Sequence, residues 1–253
     1  MAFPTISTQA TTATSNTASK AITMPATIVA GRLLMSVVGA WGGSGTGAIS
    51  GWTPITTWTN NNSCSIGVFG KIAAGSDTGT FTYGSAADIS AITYQIAGWS
   101  GTLSDIAAAV ANQGFTSAYP NPPNLVPAFG AQDYLWFACG IGNGSPTYTA
   151  PTNFSGITQV AQGTSTKMGV ATRSFNAASQ DPAAFTGTAT PTIPTGITIA
   201  VPPVMATATG KFFPFFGMGH HDEPRDELAG RRRRRHSGLY VPDRRQLTVA
   251  RAA

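Results

Sequence analysis

The residues of this chain whose types could do chemistry are few and unevenly placed. All three histidines, His220, His221 and His236, lie in the last 43 residues. The run His220-His221-Asp222-Glu223 has metal-ligand residue types. Adjacent side chains rarely all reach one ion, and no distant ligand is evident, so a solvated hinge is expected there and no metal. Asp77, Asp88, Asp105 and Asp133 show no paired spacing, and no G-x-S-x-G occurs. Residues 1–210 contain neither His nor Glu, which leaves little acid–base equipment near neutral pH. The glycines Gly42, Gly43, Gly45 and Gly47 form a loop that matches neither phosphate-binding pattern and precedes no helix. Cys64 and Cys139 each lie in or beside an apolar run and read as small buried hydrophobes, although a bridge between them stays open. The expectation is a protein that is not an enzyme and takes no cofactor.

The chemistry that remains is recognition chemistry. Residues 1–210 carry five basic and five acidic side chains, whereas residues 211–253 carry ten basic and five acidic ones. The net charge of +5 therefore belongs to the C-terminal segment. That segment opens with an aromatic cluster, Phe212, Phe213, Phe215 and Phe216, which reads as an anchor for a groove on a partner or neighbouring subunit. Packing on the chain's own body is the competing reading. Arg231, Arg232, Arg233, Arg234 and Arg235 follow, with Tyr240 nearby. Docking onto an acidic protein surface, where Arg pairs bidentately with carboxylates, is favoured over phosphate contact with nucleic acid. Leu239–Val241 and Gln246–Val249 could each add a strand to a partner's sheet edge. Elsewhere, Trp41, Trp52, Trp58 and Trp99 could stack on sugar rings if exposed; a place in the core is favoured, and Trp41 is the one kept as a glycan contact.

The elements that must position these groups are strands. Charged residues are only 10% of the chain, well below the roughly 25% usual in globular domains, and Gly, Ala, Thr and Ser fill the gap. Such a surface suits short strands and turns and not amphipathic helices. Residues 1–20 read as an N-terminal arm or edge strand. Arg32–Val38 is nearly continuous in apolar residues, as for a strand covered on both faces. Cys64–Phe69, Thr80–Tyr83, Ile89–Ile96, Tyr134–Cys139, Gly156–Val160, Lys167–Ser174, Ala184–Ala189 and Gly196–Val201 are further strand candidates. Ser104–Val110, with Ser104 as cap and Gly114 as stop, is the one predicted helix.

The chain also resembles itself. Adding 102 to Leu33, Ile55-Thr56, Gly67-Val68 and Lys71 reaches Leu135, Ile157-Thr158, Gly169-Val170 and Arg173. Trp52 maps to Phe154 in the same way, Phe81 to Phe185 at 104, and Ile92-Thr93 to Ile197-Thr198 at 105. The expected architecture is all-β: a jelly-roll-like antiparallel β-sandwich over residues 21–202, made of two pseudo-repeated halves (about 24–99 and 126–202). One short helix sits in the crossover, and residues 203–253 form an extended arm.

The stretch from Met24 to Thr82, with P-A-T before a turn, A-G-R-L-L-M, G-W-T and V-F-G-K-I-A-A-G-S-D-T-G-T-F-T, resembles a β-sandwich domain of structural proteins in tailed bacteriophages. The resemblance covers most of residues 10–202 and carries over no catalytic residues. It implies a virion component, tail-associated (minor tail, baseplate or fibre) in preference to a capsid decoration protein. Its implied partners are other virion proteins, copies of itself and a host surface glycan. The N-terminus has no basic and apolar leader and no run of about 20 apolar residues occurs, so assembly in the host cytoplasm is expected, without a membrane. A carbohydrate-binding module is the rival class, and a hydrolase the weakest.

Overall fold

The computed structural model of the chain describes residues 1–42, 45–56, 64–113 and 118–205, with the backbone of residues 59–61 besides. These residues are almost all in antiparallel strands. In chain order the strands are β1 (Thr5–Ala21), β2 (Leu33–Trp41), β3 (Ala48–Ile49), β4 (Thr53–Pro54), β5 (Thr59–Asn61), β6 (Cys64–Ile72) and β7 (Thr80–Ala97). Then follow β8 (Ala107–Asn112), β9 (Gln132–Asn143), β10 (Tyr148–Thr149), β11 (Ser155–Gln162), β12 (Thr166–Ala177), β13 (Thr186–Gly187) and β14 (Thr192–Val201). The first seven build one sheet in the order β1-β7-β2-β6-β4, with β3 on β7 and β5 on β6. Five of the others build a second sheet, β11-β12-β9-β14-β8, and β10 pairs with β13 alone.

The continuous apolar runs have a physical reason. Side chains alternate across a strand, and both faces of the central strands are covered. Leu33, Met35 and Val37 of β2 and Leu135, Phe137, Cys139 and Ile141 of β9 enter one buried cluster to which both sheets contribute. The alternate residues Leu34, Val38 and Ala40 enter a second cluster, roofed by Ile22, Ile49, Trp52 and Phe81. Tyr134, Trp136 and Ala138 enter a third, roofed by Leu125, Tyr148, Phe154 and Phe185. Ser36, the polar residue in the first run, is fully buried and shares a 3.0 Å hydrogen bond with Thr93 Oγ1.

The ladders of the two sheets run in corresponding registers. Met35 of β2 faces Gly70 of β6, and 102 residues on from each, Phe137 faces Thr172. Val37 faces Ile92, and Cys139 faces Ile197, 102 and 105 residues on. Thr53 faces Gly70, and Ser155 faces Thr172. Even the entry turn corresponds: Gly51 and Asn153 are both left-handed, at φ 75° and 69°. In each turn the next residue's N–H closes on a carbonyl three back, Trp52 on Ile49 and Phe154 on Pro151.

The predicted helix is corrected. Ala107–Asn112 is strand β8, paired with β14 from Ala107↔Ala200 to Asn112↔Thr195. Only a three-residue 3-10 turn, Leu103–Asp105, precedes it. Alanine favours the helix by well under 1 kcal/mol per residue relative to its neighbours on the propensity scale. The ladder outweighs that, because Ala108 and Val110 pack on the shared core while Ala107 and Ala109 pack on the third cluster. β1 ends at Ala21, and residues 22–27 belong to no strand.

Candidate functional site

Asp77 and Asp133 are committed to the fold. Asp77 sits at the turn after β6, buried, with Oδ1 2.8 Å from Lys71 Nζ. Its Oδ2 accepts the N–H groups of Ala74 and Gly75 at 2.7 and 3.1 Å. Burial pushes its carboxyl upward, but these three donors and the Lys71 charge outweigh it and hold the group below the usual range. A carboxyl lowered on folding stabilises the fold fully above its unfolded value and loses that contribution as the pH falls through its folded value. Asp77→Ala is therefore expected to cost about 2 kcal/mol at pH 7. The difference from the unmodified chain should shrink as denaturant unfolding is repeated at progressively more acid pH. Asp133 accepts from Asn176 Nδ2 at 2.7 Å and faces the Met1 amine at 2.9 Å, and its carboxyl is likewise held low, chiefly by Asn176.

Cys64 and Cys139 are both free and buried. Burial pushes the Cys64 thiol up to about 12 and raises Cys139 as well. Both stay protonated, and a buried thiol is a poor nucleophile. Among the described residues no group of three or more His, Cys, Asp or Glu could hold a metal ion.

The tryptophans separate. Trp52 is buried and its indole N–H donates to Thr78 O at 3.2 Å. Trp99 is buried and donates to Gly31 O at 3.3 Å. Neither can stack on a sugar, and both take the core place favoured for them from the sequence; their apolar surface is spent on the core and their one donor is satisfied. Trp58 lies outside the described residues. Trp41 is the exception. It ends β2, rests partly on the shared core and remains half-buried.

Trp41 lines a cleft of about 230 Å³ together with Asn16, Ala86, Ala87, Asp88 and Ser165. Three elements place these residues. The β2–β7 register sets Asp88 directly opposite Trp41. A break in the β1–β7 register between Thr14 and Thr17 brings Asn16, with a left-handed φ of 47°, beside Ala87 and Asp88 in the middle of β7. Its backbone N–H donates to Asp88 Oδ1 at 3.1 Å. Ser165 comes from the β11–β12 turn of the other sheet, closed by its own N–H on Gln162 O.

Trp41 was legible as a candidate from its residue type; its neighbours were not. Asp88 opens the alternating run Ile89–Ile96, and pairing that run antiparallel with Leu33–Trp41 brings the two together. Nothing in the sequence signals Ser165. The anchor residues Phe212, Phe213, Phe215, Phe216, Arg231 to Arg235 and Tyr240 lie outside the described residues, as does the Gly114 stop.

No helix among the described residues is long and apolar enough to cross a membrane. A scan against protein-family models matches none, and searches of curated proteins and of solved structures find no match.

Proposed function

We propose that this chain is a non-enzymatic structural component of a bacteriophage virion, tail-associated rather than a capsid decoration protein. In this reading residues 21–202 are a jelly-roll-like sandwich of two pseudo-repeated halves, displayed or built into the particle. The C-terminal arm attaches it to neighbouring virion proteins and copies of itself, with Phe212 to Phe216 as apolar anchor and Arg231 to Arg235 with Tyr240 as its charged one. The duplication is supported by the shared registers: a ladder pair in the first sheet predicts a pair in the second, 102 residues on, across β2–β6 and β9–β12.

The observation that carries the functional reading is how the polar groups of the body are spent. Asp77 and Asp133 hold turns and strand ends, and Gln95, buried, clamps the Thr27–Val29 turn through Val29 N–H and Thr27 O. Asp77 with Lys71, and Asp133, serve the architecture of the body, which suits a scaffold. The phage resemblance of Met24–Thr82 supplies the kind of assembly.

The test is made on particles. Mass spectrometry of purified virions should find this polypeptide, and its absence overturns the reading. Deleting residues 211–253 should leave a β-rich protein by circular dichroism that no longer enters particles; normal incorporation of that truncation removes the anchor from the account.

A further inference from the structure

We propose that the cleft at the end of the shared core binds a single neutral pyranose ring. This goes beyond the structural role proposed above, taking up the glycan contact that the sequence suggests at Trp41, and it stands apart from where the chain sits in a particle.

The cleft combines what a sugar requires. A pyranose has an apolar face of C–H groups and an equatorial rim of hydroxyls. Trp41 supplies a large, half-buried aromatic surface held in place by the core beneath it. Asp88 stands directly across the ladder from it. Its carboxylate is already oriented by the Asn16 N–H at 3.1 Å. A carboxylate has about four lone-pair sites, so one N–H leaves it free to accept ligand hydroxyls. Asn16 and Ser165, from opposite sheets, add an amide and a hydroxyl to the rim.

Two buried hydroxyls close to these residues in the chain stay outside the lining. Ser90 lies two residues along β7 from Asp88, on the same face, opposite Gly39. Thr166 follows Ser165. Both are fully buried, and Ser90 Oγ and Thr166 Oγ1 have no hydrogen-bond partner. Buried hydroxyls are normally satisfied, but neither of these lines the cleft, and the polar contacts to a ligand there fall to Asp88, Asn16 and Ser165.

Size and charge narrow the class. Sites for drug-sized ligands run from about 300 Å³ upward, and 230 Å³ is space for one ring. With one carboxylate and no basic side chain in its lining, the cleft disfavours sialic acids and uronic acids. One aromatic ring is too few for the multi-aromatic cage that cation recognition uses.

The experiment uses the full chain in solution, with the methyl glycosides of glucose, galactose, mannose and N-acetylglucosamine. Saturation-transfer NMR identifies binders, and the Trp41 indole resonance reports the site. At least one glycoside should shift that resonance with a Kd of order 1 mM. Asp88→Asn should weaken binding at least tenfold while leaving the melting temperature within a few degrees. Trp41→Phe, which keeps a smaller ring on the core, should weaken it less than Trp41→Ala. The proposal is overturned if no glycoside moves the Trp41 signal, if binding survives both Trp41→Ala and Asp88→Asn, or if tetramethylammonium competes as well as the best glycoside. None of these outcomes touches the virion assignment, which particle mass spectrometry decides.

Discussion

Phe137→Ala should destabilise the entire two-sheet body by about 3–5 kcal/mol, in one cooperative transition. Phe137 is fully buried on β9, the central strand of the second sheet. Its ring centroid lies 5.3 Å from that of Tyr94 on β7 of the first sheet, tilted by 59°. Truncation removes the aromatic pair and opens a cavity where the sheets meet. The walls of that cavity cannot collapse freely. Thr172 and Ile199 flank Phe137 in the ladders on either side, and Tyr94 is fixed by β1 and β2. The size of the loss measures the packing, and its cooperativity measures something else. If each half folded alone, the variant would melt the second sheet and spare the first. Because Leu33, Met35 and Ile92 share one buried cluster with Phe137 and Ile197, both should unfold together. Far-ultraviolet circular dichroism and tryptophan fluorescence should give coincident denaturant curves. Two separated transitions, or a loss below about 1 kcal/mol, would falsify the shared core.

The legible and illegible parts of this protein divide along one physical line. Strands covered on both faces announce themselves as unbroken apolar runs, so Leu33–Val38 and Tyr134–Cys139 were readable without any partner in view. The sequence also sets Trp52 and Phe154 102 residues apart, and each follows a left-handed residue, Gly51 and Asn153. Ala107–Ala111 was not readable. An alanine run has no periodicity to separate helix from strand, and only the ladder to β14 decides it. The same reasoning covers the cleft. Trp41 is visible as a residue type, but Asp88 becomes its neighbour only through register, Asn16 through a break in the β1 ladder, and Ser165 only through the meeting of two sheets. Whether Trp52 and Trp99 are surface or core is also a tertiary fact, settled by which loop roofs which face.

Gly196→Ala should cost about 3 kcal/mol or more, and more than Gly39→Ala, although the Gly39 position has the closer neighbour. A Cβ on Gly39 would run into Ile141 Cδ1. That atom is the far end of a flexible side chain and not backbone, so turning it aside costs about 1 kcal/mol. A Cβ on Gly196 would meet Pro122 N at 2.7 Å and the Asn121 carbonyl carbon and oxygen at 2.8 Å. These are backbone atoms of the crossover that lies over β14, and they have nowhere to go. Pro120, Pro122 and Pro123 stiffen the segment. Asn121 N–H is held by Gln113 Oε1 at 2.9 Å, and Thr198 Oγ1 donates to Pro123 O two residues along β14 from Gly196. A methyl group must therefore lift the crossover off the sheet. That breaks these bonds and loosens the Leu125 roof over Trp136. The cost exceeds ordinary overpacking of about 1–3 kcal/mol because the obstacle is tied backbone. Thermal unfolding of the two variants side by side checks the order. If Gly39→Ala proves the more damaging, the crossover is not clamped to β14 as described.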